Sequence, residues 1–356
     1  MALTFSNISH AYGATRAVTN VSFHVPKGQV TCLLGPSGCG KSTLLKLAAG
    51  LLSIQAGRIE LDGEDFASVH SSPPPEDRPV GLVFQDGALF PHLSVADNVA
   101  FGLRARRGRR AKPSRFDIGR RVEALLEQVD LKGLDARFPH ELSGGQKQRV
   151  ALARALAPQP AVLLMDEPYA NIDSVLRRRL RAETRQLLRQ QHATVLLVTH
   201  DPDEAMEMAD HIVIMDAGRV QQAGPPIDIY TDPLTISVGT LFGGGQSVAG
   251  QVQSGSVLTD FGAFNIRDVR VMGVAKLSEG ADTHMLFRPD CATVEHDLSS
   301  PLIISDIRLL GHRLRACVTH PAGQSVWVEL DSRLDFEIGQ SVSLRPKRDR
   351  LYLFPA

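Results

Sequence analysis

Gly35-Pro-Ser-Gly-Cys-Gly-Lys41-Ser42 is the stretch that decides the fold of this chain. It follows the apolar run 30–34 and precedes a leucine-rich segment, 42–49, so the sequence predicts a strand, a loop and a helix. The spacing G-x-x-x-x-G-K-S is typical of a phosphate-binding loop: Gly35 and Gly40 let backbone N–H groups point inward, and Lys41 reaches the outer phosphates. Ser42 would supply a hydroxyl to Mg²⁺, and the helix N-terminus attracts the anion. A glycine turn without a ligand is the alternative.

Two adjacent carboxylates, Asp166 and Glu167, end the apolar run 162–165. Neighbouring carboxylates repel each other unless a cation or hydrogen bonds stabilise them. We therefore expect Asp166 to hold hydrated Mg²⁺ and Glu167 to polarise an attacking water. An exposed acidic turn before Pro168 is the alternative.

Leu142-Ser-Gly-Gly-Gln146 predicts the start of a helix that continues through Leu156. Ser143 and Gln146 fit a capping box, which could be the whole explanation. Gly144 and Gly145 are poor helix formers, about 1 kcal/mol worse than alanine at an interior position. We therefore expect something large, such as a triphosphate, to approach the backbone there.

Composition limits the other functions. With 39 basic and 39 acidic residues in 356, the chain has no net charge that would attract nucleic acid or an anionic membrane. The start has no basic segment followed by an apolar stretch, and no apolar run reaches the roughly 18 residues of a membrane span, so we expect a soluble, unexported protein. Four scattered cysteines without C-x-x-C spacing argue against zinc and disulfides and fit a reducing cytoplasm.

The pattern of the chain changes near residue 240. Before it, apolar runs such as 195–198 and 211–215 alternate with helical stretches, as in a buried parallel sheet. From about 248, short alternating segments at 315–318, 325–330 and 341–344 predict a small antiparallel barrel. We predict one domain over 1–235 with a helical subdomain at about 86–157, a linker at 236–247, and a second domain over 248–356. The glycines 243–245 suit a hinge, an unusual turn or a flexible connection.

Together, and in this order, these motifs resemble the nucleotide-binding subunit of an ABC transporter over almost the whole length. The resemblance implies an α/β P-loop NTPase cassette with a helical subdomain, followed by a small all-β, OB-like (TOBE) barrel. It also implies that two copies bind head to tail and enclose two ATP molecules. Each site then joins the phosphate loop of one chain to Ser143, Gly144 and Gly145 of the other.

The same resemblance assigns roles to further residues. Tyr12 would stack on adenine, Gln85 would contact Mg²⁺ and the attacking water, and His200 would hydrogen-bond the terminal phosphate. Surface packing, a polar loop position and a structural histidine are the respective alternatives. Asp173 resembles the aspartate of a loop that crosses the dimer interface. The family more often has Ser and Leu where this chain has Ala170 and Ile172, which removes one hydroxyl from that loop.

The predicted site is therefore extensive. The expected ATP contacts are Tyr12, Gly35, Pro36, Ser37, Gly38, Cys39, Gly40, Lys41, Ser42, Thr43, Ser143, Gly144, Gly145, Gln146 and Asp173. The expected catalytic residues are Glu167, His200 and Gln85, and the expected Mg²⁺ contacts are Ser42, Gln85 and Asp166. Within the loop, we expect the Cys39 thiol to be alkylated readily in the free protein and slowly with MgATP bound.

Among ABC ATPases, the chain resembles bacterial importers of the maltose, polyamine and ferric-ion type. Segments 73–85 and 88–102 look most like the ferric-ion and polyamine members, and 287–290 resembles an element of their appended domain. We therefore expect an importer ATPase at the cytoplasmic face of the inner membrane, with ferric iron as the first choice of solute. A polyamine, another small solute or an oxyanion is the alternative. A soluble ABC ATPase acting on ribosomes or DNA fits less well, because there is one cassette and no long coiled coil.

The expected partners are a second copy, permease subunits and, indirectly, an external solute-binding protein, but no nucleic acid. The segment 90–101 would offer an apolar surface to a permease helix, with subdomain core packing as the alternative. The basic run 104–115 is interpreted as a solvated loop, or as a contact for anionic lipid or an acidic permease loop. The barrel could also bind a regulatory ligand or protein.

Overall fold

The computed structural model describes residues 1–104, 114–272, 277–310, 313–331, 336–347 and 350–356. The chain separates into two compact units, Met1–Pro226 and Ile227–Ala356. Most of the basic run, 105–113, lies outside the described residues. No helix among the described residues is both long enough and apolar enough to cross a membrane.

The first unit is an α/β structure. Its strands are β1 (Leu3–Tyr12), β2 (Thr15–Val25), β3 (Val30–Leu34), β4 (Ala56–Leu61), β5 (Glu64–Ser68), β6 (Val80–Val83), β7 (Val162–Asp166), β8 (Val195–Thr199), β9 (His211–Asp216) and β10 (Arg219–Gly224). Its helices are α1 (Lys41–Ala49), α2 (Val95–Arg104), α3 (Arg115–Gln128), α4 (Gly144–Leu156), α5 (Ser174–Gln190) and α6 (Pro202–Met208), with 3₁₀ turns at Pro75–Asp77 and Pro139–Glu141.

The central sheet has the order β10-β9-β3-β8-β7-β6 in the part of the chain that the structure describes. β9, β3, β8, β7 and β6 pair in parallel, and β10 pairs antiparallel with β9. β3 and β8 are buried at every position, as their uninterrupted apolar runs predict. The predicted strands at 30–34, 162–165, 195–198 and 211–215 are confirmed. Because these strands are parallel, the residues that follow β3, β6, β7 and β8 share one edge of the sheet.

A second sheet, β2-β1-β4-β5, is antiparallel and was not predicted from the sequence. Its inner face packs with α1 and the central sheet in one core. Phe5 of β1 stacks on Phe23 of β2, with ring centroids 4.3 Å apart. This sheet therefore forms one wall of the core on which the phosphate-binding loop rests.

Arg78 stabilises the C-terminal end of α1. The side chain is 5% exposed, and its Nη1 donates to the carbonyls of Leu47 and Ala48, each at 2.8 Å. Nε donates to the carbonyl of Pro73 at 2.9 Å, and Nη2 to Ser72 Oγ at 3.0 Å. A cation at a helix C-terminus satisfies the last carbonyls and opposes the helix dipole. Burial lowers the pKa of this guanidinium.

Helices α2, α3 and α4 pack against one another. Asn98 of α2 is fully buried, and its amide nitrogen donates to the carbonyls of Phe90, Leu93 and Ser94. The same side chain accepts from the Phe90 N–H at 2.9 Å, which closes the loop before α2. These helices lie within the range 86–157, which stays a predicted subdomain.

The second unit has its own apolar core. Its elements are α7 (Pro226–Thr231, whose first residue ends the first unit), α8 (Ile236–Leu241), β11 (Gln246–Gln253), β12 (Ser256–Thr259), β13 (Gly262–Asn265), a 3₁₀ turn (Ile266–Asp268), β14 (Arg270–Val271), β15 (Asp282–Phe287), β16 (Ala292–His296), β17 (Ile303–Leu310), β18 (Arg313–Thr319), β19 (Ser325–Leu330), β20 (Val342–Pro346) and β21 (Tyr352–Pro355).

Strands dominate this unit from β11 onward, so the predicted cassette with an all-β C-terminal region is confirmed. The described strands form sheets of order β13-β12-β11-β15-β21-β14, β16-β20 and β17-β18-β19. The pairing is antiparallel apart from β14 with β21. The predicted linker 236–247 contains α8 and the first residues of β11. The domain boundary near 235 stays a prediction.

Candidate functional site

The loop between β3 and α1 is shaped by its glycines. A Cβ on Gly35 would lie 2.1 Å from the carbonyl oxygen of Met215, and one on Gly40 would lie 2.5 Å from that of Ala17. Gly40 also has φ of 100°, which only glycine adopts readily. Gly38 has φ of 83° and would meet nothing within 4 Å. The loop therefore turns tightly against the protein, while its Pro36, Ser37 and Gly38 rim is exposed.

Lys41 lies across this loop. Its ammonium donates to the carbonyls of Gly35 at 2.7 Å and Pro36 at 2.8 Å, and the residue is 5% exposed. The charge is thereby held at the predicted phosphate position, at the N-terminus of α1. A tight glycine loop with an exposed rim, a lysine ammonium and a helix N-terminus fits a polyphosphate.

Ser42 and Asp166 come together from α1 and β7. Ser42 Oγ donates to Asp166 Oδ1 at 3.2 Å. Burial raises the pKa of Asp166, and the neighbouring charge of Glu167 adds to the rise, whereas the Ser42 hydrogen bond lowers it. A hydroxyl and a carboxylate beside a phosphate loop are oxygen ligands of the kind that Mg²⁺ prefers, so these two residues fit the ion.

Glu167 is placed beside His200. Its Oε1 lies 3.0 Å from His200 Nδ1, and its backbone N–H donates to the Val198 carbonyl at 3.0 Å. Glu167 has φ of 41°, a left-handed conformation that is rare for a non-glycine residue. Such strain is concentrated at functional sites. The structure therefore brings together the acid and the histidine that follow β7 and β8, as the parallel sheet predicts.

Tyr12 and Gln85 lie at the borders of this region. Tyr12 ends β1, is 49% exposed, and its hydroxyl lies 3.5 Å from Thr43 Oγ1 of α1. Gln85 follows β6 and is exposed. The next residue, Asp86, accepts a hydrogen bond from Asn171 at 2.9 Å, which joins the segment after β6 to the segment after β7.

The helix that begins after Ser143 has the predicted capping box. Ser143 Oγ accepts from the Gln146 N–H at 3.3 Å, and Gln146 Oε1 accepts from the Ser143 N–H at 2.9 Å. Gly144 is exposed, and a Cβ there would meet nothing within 4 Å. Gly145 is buried, and its Cβ would lie 3.1 Å from Leu176. Packing against α5 therefore accounts for Gly145 within one chain, and only Gly144 leaves open backbone at this helix start.

Asp173 is the N-cap of α5. Its Oδ1 accepts from the Leu176 N–H at 2.9 Å, while the residue stays exposed. Its capping role was not foreseen, although Asp followed by Ser at a helix start is a recognisable signal. The cap therefore fixes the start of α5 at this exposed position.

The expected ready alkylation of Cys39 is not supported by its placement. Cys39 is 3% exposed and packs in the core beneath the loop. Its Sγ lies 3.6 Å from Lys41 Nζ. The side chain of this loop residue turns inward, because the positive-φ glycines on either side reverse the backbone.

A buried network that sequence reasoning missed flanks His200. Arg181 of α5 donates to Asp201, and also to Glu204 Oε2 at 3.2 Å. Thr199 Oγ1 donates to Glu204 at 3.1 Å and accepts from the Asp201 N–H at 3.0 Å. Burial raises the pKa of Glu204 to about 7, although Arg181 opposes the rise. The residues before and after His200 are thus bonded to α5 and α6. In the sequence, Asp201 before Pro202 is a recognisable N-cap signal, whereas nothing around Arg181 indicates its role.

This edge of the sheet and the cradle around Lys41 define a P-loop nucleotide hydrolase. A family model described as ABC transporter matches residues 18–170. The chain is 39% identical to a sulfate/thiosulfate import ATP-binding protein of Chromobacterium violaceum, over 99% of this chain and 98% of that protein. It is 38% identical to the like-named protein of Gloeobacter violaceus, over 100% of this chain and 96% of that one. The chain therefore belongs to the ABC transporter family and is an ATPase.

A solved structure agrees with this assignment. The dimeric ATP-binding cassette MJ0796, in a post-hydrolysis state bound to ADP and Pi, superposes with a TM-score of 0.54 at 28% identity. The match covers 63% of this chain and 98% of that one. The resemblance to ATP-binding subunits of bacterial importers is confirmed, and so is the cassette fold.

Proposed function

We propose that this chain is the ATP-hydrolysing subunit of an importer for sulfate or thiosulfate, working at the cytoplasmic face of the inner membrane. The observation that carries the solute is full-length similarity to relatives named as sulfate/thiosulfate importers. These names favour the oxyanion alternative over ferric iron, which was our first choice from the sequence. The choice of ferric iron rested on local resemblance around 73–102, which lies in the first unit, whereas the similarity to the sulfate/thiosulfate relatives extends over the whole chain.

The proposed chemistry uses the edge of the central sheet. Lys41 and the N–H groups of the loop bind the outer phosphates, and Ser42 and Asp166 would hold Mg²⁺, which would neutralise phosphate charge. Glu167 polarises the attacking water, and His200, 3.0 Å away, orients the carboxylate and binds the terminal phosphate. Gln85 would supply a further contact to Mg²⁺, and the exposed Tyr12 ring would stack on adenine.

Two chains close around ATP in this proposal. Gly144 offers open backbone at the start of α4, and Ser143 and Gln146 fix the direction of that start. A second chain would place this helix N-terminus on the terminal phosphate, with Gly145 and Asp173 at the same interface. The dimeric form of the cassette MJ0796 supports such a pairing.

The proposed permease contact is formed by Phe90, in the loop before α2, and Phe101, within α2. Phe90 and Phe101 have ring centroids 4.4 Å apart, and Phe101 is 44% exposed. Arg154 of α4 lies over the Phe90 ring at 5.5 Å and donates to the carbonyls of Gly87 and Ala88. Arg154 therefore joins the aromatic pair, the Gln85 loop and the helix at the proposed ATP interface. A permease helix that displaced this pair would therefore also displace the loop after β6 and helix α4.

The test has two stages. Tagged Glu167→Gln chain is purified from solubilised membranes with ATP, and the co-purifying proteins are identified by mass spectrometry. We expect a permease with several spanning helices; ribosomal or DNA-repair proteins without a permease would contradict the importer assignment.

The permease complex is then reconstituted in vesicles with its solute-binding protein. ATPase stimulation and uptake are compared for sulfate, thiosulfate and ferric iron. Stimulation and uptake with sulfate or thiosulfate are expected. Stimulation by ferric iron alone would contradict the proposed solute.

A further inference from the structure

We propose that Arg181, a buried arginine of α5, is a positioning residue that sets the spacing between Glu167 and His200. The inference deepens the proposed mechanism and rests on the roles given there to those two residues. Arg181 lies within α5 and is 5% exposed. It contacts the segment after β7, which carries Glu167, and the segment after β8, which carries His200.

Arg181 holds the segment after β8 through two carboxylates. Its Nη2 donates to Asp201, the residue after His200, and to Glu204 Oε2 at 3.2 Å. Thr199, the residue before His200, donates from Oγ1 to the same oxygen of Glu204 at 3.1 Å. The residues on both sides of His200 are therefore joined to one guanidinium, directly on one side and through Glu204 on the other.

Arg181 also contacts the segment after β7. Its Cζ lies 6.0 Å from the centre of the Tyr169 ring, and Tyr169 is 1% exposed, two positions after Glu167. At this distance a guanidinium is attracted to the face of an aromatic ring. One buried side chain therefore links the segment of Glu167 to the segment of His200.

The His200 ring has little support of its own. Its side chain is 54% exposed, and its Nδ1 lies 3.0 Å from Glu167 Oε1. It lines a cavity of about 360 Å³ together with Glu167 and Glu204. The surroundings of the ring leave it room to move, so its position depends on how the residues before and after it are held.

The stability of the fold does not account for this cluster. Buried ion pairs seldom stabilise a protein more than well-packed apolar side chains of similar volume. In the part of the chain that the structure describes, Arg181 Nε and Glu204 Oε1 are buried without a hydrogen-bond partner, which adds a desolvation cost. A guanidinium instead supplies geometry, because its donors form a rigid planar fork. Fixed geometry is what a positioning residue provides.

The first test replaces the fork and keeps the charge. ATP hydrolysis by Arg181→Lys is followed in single turnover with protein in excess, and the affinity for a non-hydrolysable ATP analogue is measured by equilibrium binding. We expect the hydrolysis rate constant to fall at least about tenfold, because small displacements of reacting groups are costly, while the analogue affinity stays at the parent value. Arg179→Lys is the matched control. Arg179 is exposed on the same helix and paired with Glu183, so both quantities should be unchanged.

The second test asks whether the effect passes through His200. In a chain that already carries His200→Ala, Arg181→Lys should cause no further loss of the rate constant, since two residues that act through one group are not additive. The thermal midpoint shows whether each variant folds. If Arg181→Lys does not fold, the double variant Arg181→Met with Glu204→Gln removes two opposing buried charges together and should show the same loss of rate.

Three results would overturn the proposal. They are a parent rate constant in a folded Arg181 variant, losses that add in the His200→Ala chain, and a fall in analogue affinity as large as the fall in rate, which would indicate a general distortion of the site. A parent rate in His200→Ala itself would instead contradict the proposed role of His200, on which the inference rests.

Discussion

Replacing Arg78 by methionine tests the packing behind the ATP site. Methionine keeps most of the volume but leaves the carbonyls of Leu47, Ala48 and Pro73 without their buried donor. A net hydrogen bond from a charged donor contributes about 1.5–3 kcal/mol, and such losses are not fully additive. From this sum we subtract the free-energy cost of burying the charged guanidinium, which methionine does not have. The lowered pKa of Arg78 reflects that cost. The expected loss is about 3 kcal/mol of the free energy of unfolding.

The assay is thermal unfolding of the full chain without nucleotide, measured by calorimetry. For a unit of this size, 3 kcal/mol corresponds to a fall of about 6–12 °C in the first unit's midpoint. Arg58→Met is the matched control, because Arg58 is exposed and holds only a surface ion pair with Glu60, worth at most about 1 kcal/mol. A midpoint for Arg78→Met equal to that of Arg58→Met would refute the reasoning.

Three further predictions concern the site. Gly35→Ala should lower the free energy of unfolding, measured in urea, by at least about 3 kcal/mol, because its Cβ meets the Met215 carbonyl. Gly38→Ala, where a Cβ meets open space, should lower it by only about 1 kcal/mol. Equal losses would contradict the described loop. Lys41→Ala should weaken ATP affinity at least about tenfold by equilibrium binding; unchanged affinity would argue against a phosphate loop. Burial raises the pKa of Glu204 to about 7, so between about pH 4.5 and 7 the folded chain binds the proton more tightly than the unfolded chain, and parent stability falls as pH rises through this window. Glu204→Gln should therefore gain stability relative to the parent from pH 5 to pH 8, by about 3 kcal/mol at most; a difference independent of pH would show that Glu204 does not titrate there.

The central strands could be predicted from the sequence, because a strand buried on both faces must be apolar at nearly every position. β3, β7, β8 and β9 appear as such runs. The positions of the motifs follow from these strands, because the loops that leave the carboxyl ends of parallel strands lie at the same edge of the sheet. The sheet of β1, β2, β4 and β5 could not be predicted in the same way, because its mixed burial pattern leaves polar residues at irregular positions.

Side-chain partners were less predictable than loops. Arg78 and Arg181 look like ordinary surface cations in the sequence, yet each is 5% exposed and donates to at least one acceptor 20 or more positions away in the chain. Gly145 was interpreted as space for a ligand, but the packing of Leu176, 3.1 Å from where its Cβ would lie, also requires a glycine there. Local sequence patterns do not predict contacts of this kind, because such contacts depend on how elements distant in the chain pack together.

The most direct test of the account is the mass of the Glu167→Gln chain in solution with and without MgATP, measured by light scattering after gel filtration. The 38.7 kDa chain should form a dimer only when ATP is present, while its hydrolysis nearly ceases. Glu167→Gln combined with Lys41→Ala should stay monomeric. A single variant that hydrolyses ATP at the parent rate, or that binds ATP and remains a monomer, would contradict the proposed shared site.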